Sequence, residues 1–465
     1  MAHAITLLFD VEDLCWPGSD DITLELATRL TAHGVRGSFM VVGEKARLFA
    51  ERGRTDVIAA LQDHDIGSHT TDHSIHPTIA EYLADAEWDD GVLEAMEKEG
   101  TGLTMLSEVF GQSPTGWGQP GGSWGPQINA AMYRLNNPIV VYPLTQVGPV
   151  SDLHWYAGSL VFPDPAMAFF DEALTDNDAF QQALQRMDEM IDSRLMMGAR
   201  WTGIFVCHPT RLRAVEFWDS LNFAKGKNTA PENYQMPTLR SEEAYQTALK
   251  NFDRLIEHLK QDSRLEIRTI ADLGRTYTAP PETVYLYQLD ETMLELQHEQ
   301  EIPTRFRNFS PAEFLDLILQ TYTQTQFETE SLRRRMVFGP IDEPPEFDPP
   351  DMPAYWDDFL VACRQVLNHI NRFGRLPASI YVRDIRWSIG SFFWGAVEAW
   401  PAFRAGRPPR DVNWRPSSIY PAIGQQIAAA VQESYDSWPV HLPDLDLNKL
   451  LMHTCFQCWT LRPAY

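Results

Sequence analysis

Through its first 275 residues or so the chain alternates short apolar runs, rich in β-branched residues, with longer stretches whose apolar positions recur at helical spacing. That alternation predicts strands joined by crossover helices, an α/β domain around a parallel sheet. The strand-like runs are Ile5–Glu12, Val35–Val42, Asp65–His69, Thr115–Gln119, Ile139–Leu144, Tyr156–Phe162, Thr202–His208 and Leu265–Ile270. Helical stretches lie near Asp21–Ala32, Thr55–Asp63, Ile79–Phe110, Pro126–Leu135, Asp178–Met197 and Ser241–Gln261. Eight strands in roughly 270 residues suit a TIM-like barrel better than an open sheet.

After Leu273 the alternation stops, and Thr278–Pro281 is the expected exit from a first domain of residues 1–277. Residues 278–465 are expected to form a mostly α-helical C-terminal region, structural or oligomerising, through which the chain could form a homo-oligomer. Ser310-Pro311-Ala312-Glu313 is a capping-box start for a helix over Glu313–Thr323. Gly339–Pro353 carries six prolines and several acids, the composition of an extended connector. Phe359, Cys363, Val366 and Ile370 then recur at helical spacing before Gly374.

A length of 465 residues excludes one small core. Lys and Arg number 38 against 64 Asp and Glu, a net charge of −26 that repels phosphate backbones and anionic lipid, so neither nucleic acid nor membrane is an expected partner. Asp10 and Glu12 interrupt the first apolar run and no run of about 20 apolar residues occurs, so we read no signal peptide and no membrane span, and expect a soluble, cytoplasmic protein. Five cysteines are too few, and odd in number, for a secreted disulfide framework. Cys455 and Cys458 lie beside His453 but lack the second ligand pair a structural zinc site needs, and are expected to be packed core.

The chemistry gathers at three strand ends that a barrel places on one face: Asp10-Val11-Glu12-Asp13, His69-Thr70-Thr71-Asp72-His73 and Cys207-His208-Pro209. Four of the 13 histidines fall within 13 residues, where an even scatter would place about 0.4. In a helical turn, His69 and His73 at i, i+4 would bring both imidazoles to one side, within reach of one metal ion. A carboxylate from the first strand would complete a face of two histidines and one acid, with positions left for water and substrate. Strand alternation points Asp10 and Glu12 together and Asp13 away, so one acid can bind the metal while the other takes a proton. His208, at a strand mouth, could protonate a leaving amine.

These residues resemble the polysaccharide deacetylases with the NodB homology fold, a distorted (β/α)7 barrel, over roughly residues 4–275. The first strand is similar to the family's opening motif in a D-x-E-D form, which implies Asp10 as catalytic base and Glu12 as a metal ligand. His69-Thr70-Thr71-Asp72-His73 resembles its H-[ST]-x-x-H motif, implying His69 and His73 as the other ligands and Thr70 as a brace. Val206-Cys207-His208 resembles its late motif, implying His208 as general acid. The middle motif falls on Trp117-Gly118-Gln119-Pro120-Gly121, where Gly118 stands in place of an arginine that tunes the base and the Gly121 amide would help bind an oxyanion.

Arg211 could supply the missing charge from another loop, and Asp152 with Trp155 resembles the motif whose acid orients the catalytic histidine. Trp16, Trp117, Trp124, Trp155 and Phe217-Trp218 are candidates for stacking on sugar faces. The aperiodic loop Arg211–Pro237 is long enough for a lid. The expected activity is metal-dependent hydrolysis of an acyl, typically acetyl, group from an N-acylated, sugar-like small molecule or oligosaccharide. Zinc is the leading metal, with iron, cobalt and nickel as alternatives because imidazole and carboxylate suit all four. Two alternatives are a cyclic imide or ureide amidohydrolase of the same fold, and a carbohydrate-binding barrel that does not cut.

Overall fold

Strand β1 (His3–Val11) is buried along nearly its whole length, and its alternation sorts two environments. Ile5, Leu7, Phe9 and Val11 enter a hydrophobic cluster with residues of the surrounding helices, which puts Asp10 on the opposite side of the strand. The computed structural model describes residues 3–142, 153–163, 167–169, 171–196, 202–277, 281–296, 298–304, 307–324, 330–343, 353–383, 385–413, 415 and 417–464. Two compact units divide the chain. One holds Met1–Leu153, Leu160–Tyr277 and Ala430–Leu450; the other holds His154–Ser159, Thr278–Ala429 and Leu451–Tyr465.

In the first unit the elements run β1, α1 (Ser19–Ala32), β2 (Ser38–Val41), α2 (Gly43–Glu51), α3 (Thr55–Gln62), β3 (Asp65–Ser68), α4 (Ile79–Leu83), α5 (Trp88–Phe110), β4 (Trp117–Gly118), α6 (Pro126–Arg134) and β5 (Ile139–Tyr142). Beyond β6 (His154–Tyr156), which belongs to the second unit, follow β7 (Ser159–Pro163), β8 (Met167–Phe169), α7 (Asn177–Met196), β9 (Thr202–Cys207), α8 (Trp218–Asn222), α9 (Glu242–Gln261), β10 (Leu265–Ile267) and α10 (Ile270–Thr276). The sheet order is β7-β5-β4-β3-β2-β1-β9-β8, with β10 on the start of β1. These ladders are parallel, so the loops after the strands gather along one edge. Among the described residues no ladder joins β8 to β7, and the pairing stops short of a closed barrel.

Register does the positioning. Phe9 pairs with Cys207, which puts the next residues, Asp10 and His208, level with each other. Val11 pairs with Val41 and Val41 with Ser68, which puts Glu12 and His69 level in the same way.

Several elements differ from the sequence expectation. The expected strand Tyr156–Phe162 is cut by Ala157 and Gly158, both at positive φ, and its first residue instead ends β6, whose Trp155 and His154 pair with Arg462 and Pro463 in the second unit. The expected helix Ile79–Phe110 is two helices, the second entered through Glu87 in an extended conformation. Helix α2 lacks an apolar periodicity, since Ala46 and Phe49 are the only large or methyl-bearing apolar residues on a buried side shared with Gly43 and Lys45. The second unit has its own core, built around the helices Leu286–Leu296, Pro311–Thr323, Trp356–Phe373 and Ile389–Arg404. Ser310 and Glu313 form the expected capping box. Phe359, Cys363, Val366 and Ile370 are the buried stripe that ends at Gly374, at φ +68°. Most of the proline-rich connector lies outside the described residues. All five cysteines are free and buried, and no helix among the described residues is long and apolar enough to cross a membrane.

Candidate active site

Asp10, Glu12, His69, His73, Gly121 and His208 line one cavity of about 360 Å³ in the first unit, at the small end of the range for ligand sites. Gln119, Phe217, Asp219, Ser220, Ser434, Trp438 and Pro439 complete its walls. Glu12 Oε2 lies 3.0 Å from His73 Nε2 and 3.3 Å from His69 Nε2. One ligand atom from each residue lies within 4.8 Å of the other two.

The two imidazoles do not meet by a helical turn, as their spacing suggested. Thr70 and His73 both adopt left-handed backbone, at φ +63° and +53°, and the intervening loop brings the rings to 4.9 Å between centroids. Such backbone in a non-glycine residue costs on the order of 1–3 kcal/mol and persists where neighbours enforce it. Here Thr70 Oγ1 donates to Glu99 Oε1 at 3.0 Å, and Trp117 Nε1 donates to Glu99 Oε2 at 2.8 Å. Burial pushes the Glu99 carboxyl up to about 7, against those two hydrogen bonds.

The donor set suits a divalent cation. His73 shares a 2.6 Å hydrogen bond through Nδ1 with Ser74 Oγ. Its buried Nε2 has no hydrogen bond of good geometry and is left to face Glu12, the arrangement a histidine ligand needs. Burial would raise the Glu12 pKa, but His73, His69 and His208 outweigh it and hold the carboxyl well below its usual range. Burial lowers and the carboxylates of Glu12, Asp219 and Asp10 raise the pKa of His73, with a net rise. Trp218 Nε1 donates to Glu12 Oε1 at 3.1 Å and fixes the carboxylate plane.

Across the cavity, His208 Nε2 is 3.6 Å from Asp10 Oδ2. Asp171 holds the histidine twice, through Nδ1 at 2.7 Å and through its backbone N–H at 2.8 Å. Burial lowers the imidazole's pKa, yet Asp171 and then Glu12 and Asp10 push it up to about 10, so the ring is cationic at neutral pH with Nε2–H toward Asp10.

The remaining sequence candidates divide. Asp13 faces away from the cavity and ties loops together: its Oδ1 accepts from the amides of Cys15 and Trp16, and its Oδ2 accepts from Thr210 Oγ1. Beneath it the buried Lys45 ammonium donates to the Asp13 carbonyl, Ser19 Oγ and Asp20 Oδ1. Arg211 does not turn to Asp10. Its guanidinium bonds the Val215 carbonyl and Glu172 and stacks over Phe217, because the nearer acid on its own side captures it. Trp117 and Trp124 are buried side chains whose N–H groups serve Glu99 and Asn129. Neither lines the cavity. Trp155 lies in the second unit, under the Arg462 guanidinium. Asp152 is outside the described residues, and the acid found on His208 is Asp171.

Sequence reasoning passed over Asp171, Asp219, Ser74 and Trp438. Asp171 follows a three-residue strand too short to stand out by periodicity. Ser74 sits next to His73 and could have been found. Nothing in the local pattern links Asp219 to Trp438, which are 219 residues apart and joined by a 3.1 Å hydrogen bond.

No family profile matches the chain, and no curated protein matches it. Among solved structures it is similar to a provisionally assigned polysaccharide deacetylase from Mycobacterium smegmatis, at 13% identity and TM-score 0.40 over 59% of this chain and 89% of that one. It is also similar to Puue allantoinase, at 14% and 0.37 over 59% and 89%. A family 4 carbohydrate esterase from Streptomyces lividans in complex with acetate follows at 13% and 0.31, over 57% and 91%. Likeness this slight supports no conclusion about activity, which must come from the residues of the site.

Proposed function

We propose that this chain is a metal-dependent hydrolase that removes an acyl group from a nitrogen, with an N-acetylated, sugar-like molecule as substrate. The observation that carries the reading is the pairing, in one cavity, of the Glu12, His69 and His73 donors with Asp10 and with a His208 held by Asp171. A divalent cation held by the three donors would acidify a bound water and polarise the acyl carbonyl. Asp10, buried at the end of β1 and 3.6 Å from His208 Nε2, takes the proton of the attacking water. His208 delivers the Nε2 proton to the departing nitrogen, and Asp171 keeps the ring in the orientation and charge state for that transfer. The Gly121 amide, at the cavity wall, is the candidate donor to the developing oxyanion.

The experiment is metal analysis joined to a substrate panel. Purified protein is expected to bind one divalent ion, to lose it in His69→Ala and His73→Ala, and to release acetate from N-acetylated sugars. Asp10→Asn is expected to keep the metal and lose at least a hundredfold in kcat. Preference for cyclic imides over linear amides would move the activity to ring opening, and metal-loaded protein inert on both panels would refute the reading.

A further inference from the structure

The parallel strands do not supply every wall of the cavity. Ser434, Trp438 and Pro439 come from Ala430–Leu450, a segment of the first unit more than 150 residues beyond the last strand of its sheet. Trp438 stands edge-on to His73, 5.7 Å between centroids at 84°, and its N–H is donated to Asp219 Oδ2.

The segment is tied down at several points. The amides of Lys225 and Gly226 donate to the carbonyls of Pro439 and Val440, at 3.0 and 3.1 Å. The amide of Leu442 donates to Glu81 Oε1 at 3.1 Å, and Lys449 pairs with Glu87 at 2.6 Å. Glu81 in turn holds His76 of the histidine loop. Within the segment, His441 stacks on Tyr435 at 3.8 Å and meets Trp438 edge-on at 4.8 Å, so the indole is braced from behind.

No slot remains between this strap and the Gly121–Gly122 loop. A Cβ on Gly121 would fall 2.2 Å from the Trp438 ring, and one on Gly122 would fall 2.1 Å from the Ser434 carbonyl oxygen. A sugar unit laid between two surfaces needs roughly 3.5–4 Å to atoms on each face. A polymer therefore has no path out of the cavity on this side, beside the candidate oxyanion donor.

We infer that Trp438 and its strap make the site one for small molecules or chain ends, admitting a single N-acylated unit end-on and excluding internal units of a polymer. This rests on the hydrolase reading above and names its substrate class.

The test uses the full-length, zinc-loaded protein with N-acetylglucosamine, its β-1,4 dimer and its hexamer. Affinities are measured by calorimetry on Asp10→Asn, and the sites of deacetylation on wild type by mass spectrometry. Hexamer is expected to bind no more than threefold tighter than dimer, and any acetyl loss is expected at a terminal unit. Trp438→Ala is expected to raise the hexamer-to-dimer affinity ratio at least tenfold, and the other protein arms decide the matter even if that variant fails to fold. Tenfold tighter binding of hexamer than dimer, or acetyl loss from internal units, overturns the inference and leaves the hydrolase standing. Length-independent binding with no hydrolysis supports the inference and refutes the hydrolase. If no member of the series binds, both fall.

Discussion

Replacing Asp171 with Asn removes the charge beside His208 while keeping a side chain of the same shape. The carboxylates around His208 push its pKa from 6.5 up to about 10, a rise on the order of 5 kcal/mol. Burial works against that rise, so the upward influences together exceed it. The two largest of them are the charge and the hydrogen bond of Asp171. Asp171 is therefore the largest single source of the rise, a contribution on the order of 2 kcal/mol. A histidine whose folded pKa is raised gives stability that is complete below its unfolded value near 6.5 and is lost as pH climbs through the folded one near 10. Asp171→Asn should therefore cost on the order of 2 kcal/mol at pH 6 and progressively less toward pH 10. Urea unfolding at pH 6, 8 and 9.5, with the His208 ring followed by NMR in ¹³C-histidine-labelled protein, reads both quantities. An unchanged His208 titration, or a stability loss equal at all three pH values, would refute the assignment of Asp171 as the group that keeps the imidazole charged.

Glu99→Gln has the opposite sign: a buried acid raised from 4.5 to about 7 weakens the fold as pH rises through that interval, so the variant, which loses one acceptor toward Thr70 or Trp117 at every pH, should gain in melting temperature relative to wild type from pH 5 to pH 8. Equal melting shifts at both pH values would contradict this. Lys45→Met should destabilise by about 3 kcal/mol, the lower end for a broken buried pair, since Asp20 keeps Arg52 at 3.0 Å; a loss under about 1 kcal/mol by urea unfolding would show the pair to be dispensable. Gly121→Ala should cost about 2 kcal/mol or more, from φ +45° and the collision with Trp438. In a double-mutant cycle with Trp438→Ala the two losses should fall short of additive by about 1 kcal/mol, and strict additivity would place the strap elsewhere.

How much of the site the sequence disclosed follows from the range of the forces involved. Strand alternation put Asp10 and Glu12 on one side of β1, and parallel register then carried His208 level with Asp10 and His69 level with Glu12. The alternation is a period-two property that a linear string displays; the register is not, though the string does show that each of these motifs ends its strand. The approach of His69 to His73 was legible as proximity but not as conformation, since nothing in Thr70-Thr71-Asp72 announces two left-handed residues. Those depend on Glu99 beneath the loop, an acid that on α5 reads as an ordinary solvated position. Asp171 and Asp219 were hidden for a related reason: each is defined by a partner distant in the sequence, and a carboxylate's partner leaves no periodic trace.

The strap carries the same lesson to its limit and bears on function. Its residues have modest apolar content and no motif, so the string gave no reason to separate Ala430–Leu450 from the region around it. Yet two glycines in the first unit already recorded its presence. At Gly121 and Gly122 the absent side chains leave room for an indole and a carbonyl that arrive over 300 residues later. Gly121 had a reading as a backbone donor, which needs only that the chain be open to substrate. The close approach of Trp438 gives the same glycine a second and stricter requirement. A residue that must both expose its amide and accept a ring at its Cβ position couples the chemistry of the site to the shape of its entrance, and a change in either is expected to be felt in both.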